Sequence, residues 1–229
     1  MKSDASIIII TKNQKNYLKQ SLPLIFSQTF SNFEVIVVDS GSRDGSLELL
    51  KKYPVKLVKI KPEEFNYAYA FNQGASKARG NYLVRLSGDA LPRDKFWLGN
   101  LIKNFKDERV AGVYSRWINF PEANLIDRFI VWVCMPKEKM IFKKAPNWNG
   151  ASGALRKDLW QKYPFDERLS FCEDLDWSRK VQRDGYLIVY EPTSVVYHSH
   201  RENILLYYKR GLKTIWALIK IYTKRQKQV

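Results

Sequence analysis

Cysteine and long apolar runs are what this sequence most lacks. Only Cys134 and Cys172 occur among 229 residues, which excludes a disulfide-stapled miniprotein and makes a reducing cytosol the expected compartment. The longest uninterrupted apolar run, residues 129–135, is seven residues long, whereas a helix that spans a bilayer needs about 20. No basic stretch leads into an apolar stretch and a small-residue cleavage site near the N-terminus. We therefore expect neither a membrane span nor a secretory signal.

Acidic residues are also scarce. The chain has 23 Asp and Glu against 39 Lys and Arg, which gives a net charge of +16 and a pI of about 9.7. A surplus of this size favours polyanionic partners such as nucleic acid, anionic lipid or phosphorylated substrates. No recognised nucleic-acid motif accompanies the charge, so we expect no nucleic-acid partner.

Apolar segments alternate with helical patterns through the first half of the chain. The predicted strands are residues 6–11, 33–38, 55–60, 81–86 and 110–114, and the predicted helices are residues 14–27, 44–52, 66–79 and 95–105. Strands that alternate with helices of this length predict an α/β fold with a mainly parallel sheet flanked by helices. The second half is less regular: residues 120–144 show no pattern, a helix is predicted at 173–183, and short strands follow at 187–190 and 194–197.

The C-terminal segment concentrates positive charge. Residues 201–229 contain eight basic residues and one acid, and apolar residues recur on one helical arc between residues 205 and 222. We therefore divide the chain into a domain of residues 1–200 and a basic amphipathic C-terminal helix of residues 201–229. Two interpretations stay open. The helix docks on the domain, or it lies on an anionic membrane surface and makes a cytoplasmic protein peripheral at the membrane face.

Two acidic turns follow predicted strands, where parallel sheets bind their ligands. Asp39 and Ser40 stand directly at the end of the second strand, and Asp89 follows the fourth strand. A carboxylate in the position of Asp39 accepts hydrogen bonds from a nucleobase imide or a ribose, so we interpret it as functional. Asp44 lies further into its turn, and we interpret it as turn and helix-cap chemistry.

The two histidines of the chain, His198 and His200, end the last predicted strand. A carboxylate such as Asp89 binds Mg²⁺ or Mn²⁺ when a second ligand is brought near. The pattern leaves open whether either histidine is that ligand or both are surface residues.

Three carboxylates, Glu173, Asp174 and Asp176, begin the predicted helix at 173–183. Acids at a helix start complement the helix dipole, which is a purely structural role. They also suit a general base in a cleft. Asp174 and Asp176 point to different faces of the helix, so at most one of these two faces a cleft.

These motifs in this order resemble the family 2 glycosyltransferases of the GT-A fold, which is Rossmann-like. The runs that carry the resemblance are IIIITKNQKNYLKQSL, VIVVDSGSRDGS, GNYLVRLSGDALP, NGASGAL, CEDLDW and VYHSH. The stretch from EEFNYAYAFNQG to DKFWLGNL is similar to a branch that contains rhamnosyltransferases and exopolysaccharide glycosyltransferases. The resemblance covers about residues 6–200.

The resemblance implies a role for individual residues. Those implied for the nucleotide-sugar are Thr11, Asp39, Ser40, Asp89 and Gly153, and those implied for the metal are Asp89 and His198. Asp174 matches the proposed catalytic base, with Glu173 as the alternative. Asp89 occupies the last position of the family's D-x-D metal motif, and Ser87 stands where the first Asp is expected.

The implied function is an inverting transfer of a single sugar. The implied partners are a nucleoside-diphosphate sugar, a divalent cation (Mn²⁺ or Mg²⁺), and a saccharide or lipid-linked acceptor. The Q-x-x-R-W signature of processive polymer synthases is absent, which favours single transfers over polymerisation. The lost first carboxylate supports an alternative, a catalytically inactive module on the same scaffold that binds membrane or nucleic acid.

Overall fold

The computed structural model describes residues 3–144, 150–169 and 171–199, together with Lys209 and Leu212. Nine strands and seven α-helices are assigned within these residues. The strands are β1 (Ala5–Thr11), β2 (Phe33–Asp39), β3 (Val55–Lys59), β4 (Tyr82–Ser87), β5 (Leu91–Pro92), β6 (Val110–Ile118), β7 (Met140–Phe142), β8 (Ser152–Arg156) and β9 (Leu187–Tyr197). The helices are α1 (Lys15–Phe26), α2 (Ser46–Leu50), α3 (Tyr67–Ser76), α4 (Trp97–Ile102), α5 (Leu125–Cys134), α6 (Lys157–Lys162) and α7 (Glu173–Arg183). Short 3₁₀ turns occupy Pro62–Glu64 and Lys103–Lys106.

One sheet runs through the domain in the order β3-β2-β1-β4-β8-β6-β9-β5, and β7 pairs with β9 outside this path. The four N-terminal strands are parallel to one another, as predicted. The second half continues the parallel pairing between β6 and β9 and adds antiparallel strands. β8 lies antiparallel between β4 and β6, and β5 and β7 run antiparallel to β9. The sheet is therefore mixed, because β8 returns between two strands that precede it in the chain.

The core has two layers because successive residues of a buried strand face opposite sides of the sheet. Ile8 and Ile36 face the layer that contains α3, α6 and α7, whereas Ile7 and Val35 face the layer that contains α1 and α4. All seven residues of β1 are buried. The predicted α/β fold with a sheet flanked by helices is confirmed, and the helices lie on both faces of the sheet.

Several predicted elements differ from those observed. Residues 120–144, predicted to be irregular, contain α5 and β7. The two short strands predicted at 187–190 and 194–197 are one strand, β9, with an irregularity opposite Ser115 and Arg116. The helix predicted at 44–52 is confined to α2. The predicted C-terminal helix and the division at residue 200 lie outside the described residues, and in the described part of the chain no helix has the length and apolarity to cross a membrane.

Gly74 marks a close contact between α3 and the sheet. A Cβ added there would approach Ile8 Cγ2 to 2.6 Å and Val38 Cγ2 to 3.0 Å. Gly99, also helical, has Phe30 Cβ at 3.9 Å as its nearest neighbour. The two glycines therefore differ in the space around them while sharing a helical backbone.

We expect Gly74→Ala to lower the free energy of unfolding by about 1–2 kcal/mol, because overpacking outweighs the gain in helix propensity. Gly99→Ala should raise it by up to about 1 kcal/mol. Denaturant unfolding of the two variants beside the wild type checks both values. Equal effects of the two substitutions would contradict the close packing of α3 on the sheet.

Candidate active site

The site is built where β1, β2 and β4 end. Thr11 pairs with Asp39 across β1 and β2, and Ile10 pairs with Ser87 across β1 and β4. The two turns continue this register, since the backbone N–H of Ser40 donates to Thr11 O and that of Gly88 donates to Ile10 O. The strand ends at Asp39 and Ser87 are thus separated by two strand spacings, about 10 Å.

Asp39 has one carboxylate oxygen in use and one left over. Oδ2 accepts hydrogen bonds from the backbone N–H of Gly41 at 2.9 Å and of Ser42 at 3.0 Å. Oδ1 is buried and accepts no hydrogen bond, and the whole residue is only 1% exposed. A buried acceptor without a donor costs about 1–3 kcal/mol, so this oxygen is suited to a ligand that brings an N–H or O–H group.

Asp44 has the structural role that its sequence context indicates. Its Oδ2 accepts from the backbone N–H of Lys15 at 2.8 Å, and its Oδ1 accepts from the backbone and hydroxyl of Ser46 at 3.0 and 2.6 Å. The side chain therefore joins the second turn to the start of α1 and opens α2. The prediction of turn and cap chemistry is confirmed.

Asp89 and His198 lie together although more than a hundred residues separate them. Asp89 Oδ1 is 3.4 Å from His198 Nδ1, and the histidine side chain is 6% exposed. The contact follows from β9, whose end pairs with β5, and from the hydrogen bond that His198 N donates to Ile118 O. His200 lies outside the described residues.

The carboxyl group of Asp89 is held ionised. Burial raises its pKa, but the neighbouring imidazole of His198 and a hydrogen bond from Ser87 outweigh burial and lower the pKa to about 2. The residue that replaces the first acid of the metal motif thus supports the acid that remains.

A divalent metal is the cofactor that the resemblance implies, and Asp89 and His198 are the donors available to it. Asp89 Oδ1 is buried and accepts no hydrogen bond, and a carboxylate and an imidazole are both metal ligands. No group of three or more His, Cys, Asp or Glu that would hold a metal occurs in the described residues. The pair therefore fits a cation that takes most of its ligands from a bound diphosphate and water, which is how Mg²⁺ is commonly held.

A buried ion pair that sequence reasoning missed joins β4 to α7. Arg85 Nη1 lies 2.7 Å from Glu173 Oε1, and the side chains are 9% and 5% exposed. The arginine also lies 5.5 Å from the ring centre of Tyr67. The sequence does contain one indication of this ion pair, the arginine in the middle of the otherwise apolar strand YLVRLS. A charge at such a position needs a partner.

The three acids at the start of α7 have different surroundings. Glu173 is held by Arg85, and Asp176 lies 2.6 Å from Lys180. Asp174, which is partly exposed, has no ion-pair partner among the described residues. It accepts hydrogen bonds from the backbone N–H of Leu175 at 2.8 Å and of Gly150 at 3.1 Å. Burial of its carboxyl group and the charge of Glu173 raise the pKa of Asp174, although Arg85 opposes them.

The predicted site residues thus form two neighbouring groups. Thr11, Asp39 and Ser40 lie at the ends of β1 and β2, and Asp89 and His198 lie past the end of β4. The start of α7 approaches the second group through the segment before β8, since Ala151 O accepts from Ser87 N while Gly150 N donates to Asp174. Gly153 differs, because it lies inside β8 opposite Arg85 and not at a strand end.

A separate cavity of about 530 Å³ lies at the opposite end of the strands, between the start of β4 and the end of β8. Its basic residues are already engaged. Arg156 pairs with Asp158 at 2.6 Å, and Lys157 donates to Ala78 O at 2.7 Å. It has no part in the site described above.

Known proteins share this architecture. The chain is similar in structure to the mannosyltransferase PcManGT from Pyrobaculum calidifontis, solved in complex with GDP-Man and Mn²⁺, with a TM-score of 0.76 and 21% identity over 100% of this chain and 66% of that one. The predicted GT-A fold is thereby confirmed. Residues 6–156 match the family model for glycosyl transferase family 2, and the chain belongs to this family.

Two Salmonella enzymes are among its relatives in sequence. The O-antigen chain rhamnosyltransferase RfbN of Salmonella typhimurium is 26% identical over 223 residues, which cover 90% of this chain and 71% of the relative. The O-antigen chain rhamnosyltransferase WbaN of Salmonella anatum is 26% identical over 200 residues, which cover 81% and 64%. The chain thus spans about two thirds of the length of these relatives.

The buried pair yields a stability prediction. Arg85→Met should lower the free energy of unfolding by about 3–5 kcal/mol, because Glu173 is then buried without its counter-charge. The double variant Arg85→Met/Glu173→Leu should recover a large part of this loss. Arg109→Met, which removes an exposed pair with Asp107, should change stability by no more than about 1 kcal/mol. Denaturant unfolding gives the coupling free energy, and additive losses at positions 85 and 173 would contradict a buried pair.

Proposed function

We propose that this chain is an inverting, metal-dependent glycosyltransferase. It moves a single sugar from a nucleotide-sugar to an acceptor hydroxyl in polysaccharide or glycoconjugate synthesis. The observation that carries the proposal is that Asp39, the Asp89–His198 pair and Asp174 all come to one edge of the sheet, in a chain of glycosyl transferase family 2.

The donor is oriented by the ends of β1 and β2. The free Oδ1 of Asp39 accepts a hydrogen bond from the base or ribose of the nucleotide, with Thr11 and Ser40 beside it. The diphosphate then lies toward Gly88, whose lack of a side chain lets Gln14 and the carbonyl of Ile10 pack against it, because an added Cβ would collide with both. Gln14 is a further residue of this edge, and its Oε1 accepts from the hydroxyl of Thr11 at 3.1 Å.

The Asp89–His198 pair would hold the divalent cation. When bound, this cation supplies positive charge that offsets the charge developing on the nucleoside diphosphate as it leaves. The PcManGT structure with Mn²⁺ supports a metal in this fold. The low pKa of Asp89 keeps its carboxylate ionised over the working pH range.

Asp174 is the general base in this mechanism. It takes the proton of the acceptor hydroxyl as that oxygen attacks the anomeric carbon, and a single displacement inverts the configuration. A raised pKa makes it a stronger base than an ordinary aspartate. Glu173 is unsuited to the role because Arg85 occupies it, so it acts by positioning the start of α7.

The alternative of an inactive binding module is less well supported. Its main argument is the serine at position 87, and that serine donates a hydrogen bond to the remaining acid, Asp89. The rhamnosyltransferase relatives make a deoxyhexose the first donor sugar to test, with a saccharide or lipid-linked acceptor. Turnover of a panel of nucleotide-sugars with and without Mn²⁺ tests the proposal, and no turnover with any donor would favour the binding module.

We expect Asp174→Asn to lower kcat by about 100-fold or more while leaving nucleotide affinity nearly unchanged, because only proton removal is lost. The matched control is Asp176→Asn, whose carboxylate is engaged with Lys180 and whose loss should leave kcat near that of the wild type. Steady-state kinetics and nucleotide titration of both variants check this. Near-normal turnover of Asp174→Asn would remove it from the mechanism.

The pH profile gives an independent test of the base. A general base works deprotonated, so the rate should fall as the pH drops through the pKa of Asp174. Since that pKa is raised, the acid limb of kcat/KM should lie clearly above the ordinary Asp value of about 4. In Asp174→Asn the residual activity should lose this limb, and a limb that persists unchanged would assign it to another group.

The two ends of the donor site should be separable by mutation. Asp89→Ala should weaken binding of a nucleoside diphosphate in the presence of Mn²⁺ and leave binding of the bare nucleoside intact, because it acts through the cation. His198→Ala should do the same to a smaller degree. Asp39→Asn should instead weaken both ligands, with or without Mn²⁺. Thermal-shift titrations compare the three variants, and equal loss of nucleoside binding in all three would contradict the assignment.

A further inference from the structure

Helix α5 presents an apolar face to solvent. Leu125, Phe129 and Trp132 are 82%, 62% and 78% exposed, and their spacing places them on one side of the helix. The opposite side is already packed, since Val131 is buried in the core and Asp127 is buried beside it. The exposed face is therefore a second apolar face of α5, separate from the side that packs on the core.

The exposed surface continues beyond the helix. Val133 is 55% exposed, and Met140 of β7 is 40% exposed. Met140 pairs with Tyr190, which belongs to the same core layer as Val131 of α5. The end of α5 and the start of β7 meet at Tyr190, whose hydroxyl donates to Pro136 O and which pairs with Met140 in the sheet. Large exposed side chains that are contiguous in this way mark an interaction surface more often than scattered ones.

Lysines flank this surface. Lys137, Lys143 and Lys144 are exposed, and none of them has an ion-pair or hydrogen-bond partner among the described residues, whereas Glu138 is the one exposed acid between α5 and Lys144. Lys139 differs, because it pairs with Glu191 at 3.4 Å. Apolar and aromatic side chains beside unpaired lysines are the pattern of a surface that enters the headgroup region of an anionic bilayer.

We propose that the α5 surface, formed by Leu125, Phe129, Trp132, Val133 and Met140, docks on an anionic membrane. The charge of the chain argues against the other occupants. A second copy carries the same net charge of +16, and residues 201–229 contain eight basic residues against one acid, so both would be repelled by the flanking lysines. An anionic lipid surface is attracted by the same lysines.

The position of α5 links docking to the donor site. His198 N donates to Ile118 O at the end of β6, and Phe120 N donates to the hydroxyl of Ser199. The chain then enters α5 at Leu125 after a short turn. The chain that leads into α5 therefore runs next to His198, so a bilayer in contact with the start of α5 would lie within a few residues of the Asp89–His198 pair. This link rests on the proposed transferase function, for which a membrane beside the site favours an acceptor whose lipid anchor stays in the membrane.

Co-sedimentation of the full chain with vesicles tests the proposal. The probes are vesicles of phosphatidylcholine with phosphatidylglycerol and vesicles of phosphatidylcholine alone. Phe129→Ser/Trp132→Ser should reduce the fraction bound to anionic vesicles by about tenfold or more. Phe96→Ser, which removes an aromatic side chain that is 51% exposed elsewhere on the surface, should leave binding unchanged.

A charge series completes the test. Lys137→Gln/Lys143→Gln/Lys144→Gln should weaken binding to anionic vesicles by about tenfold or more, and the binding that remains should depend less on the fraction of anionic lipid. The control Lys19→Gln/Lys51→Gln/Lys52→Gln removes the same charge from exposed positions near α1, α2 and β3. In the wild type, brominated lipid should quench tryptophan fluorescence, and Trp132→Phe should remove most of that quenching. Equal binding of the two lysine variants would overturn the proposal.

Two further outcomes would also overturn it. If Phe129→Ser/Trp132→Ser lowers the melting temperature by several degrees without changing vesicle binding, the face is covered by the C-terminal segment. If light scattering shows a wild-type dimer that this variant dissociates, the face is covered by a second copy. The vesicle assay needs neither nucleotide nor metal, so its failure is distinguishable from failure of the proposed transferase activity.

Discussion

The register of β1 is the constraint on which the site depends. This strand is buried along its whole length and pairs with β2 on one side and β4 on the other. A slip by one residue would move four isoleucines to the wrong faces of the sheet, at a cost of several kcal/mol. The packing of apolar side chains therefore holds Asp39 and Ser87 level with one another. The geometry of the proposed donor site thus depends on the packing of the core.

The buried ion pair between Arg85 and Glu173 determines the surroundings of Asp174. Arg85 neutralises Glu173 in the interior, where either charge alone would be unfavourable by several kcal/mol. That pair fixes the first turn of α7 against β4. It also leaves Asp174 close to a negative neighbour, which together with burial raises the pKa of Asp174. Compared with apolar residues in its place, the ion pair adds little net stability. It nevertheless sets both the position and the pKa of Asp174, the proposed base.

Two buried carboxylate oxygens at the ends of these strands have no hydrogen-bond donor among the described residues. The Oδ1 atoms of Asp39 and Asp89 are both buried and accept no hydrogen bond. Each costs free energy in the unliganded protein that a bound group can recover. Because the two atoms lie on either side of β1, a single ligand with a hydrogen-bonding end and an anionic end, the latter reaching Asp89 through a cation, would satisfy both. A nucleoside diphosphate has that form, and family membership supports it independently.

The sequence by itself determined the parallel half of the sheet and the acids that follow its strands. Those features depend on local apolar patterning and on the rule that parallel strands end at a common edge. It did not reveal the insertion of β8 between β4 and β6, the partner of Arg85, or the second apolar face of α5. Each of these rests on contacts between residues far apart in the chain, whose pairing no local pattern encodes. An apolar residue at position 129 or 132 also looks the same whether it is buried or exposed, and only the tertiary structure decided which side of α5 the core already occupies.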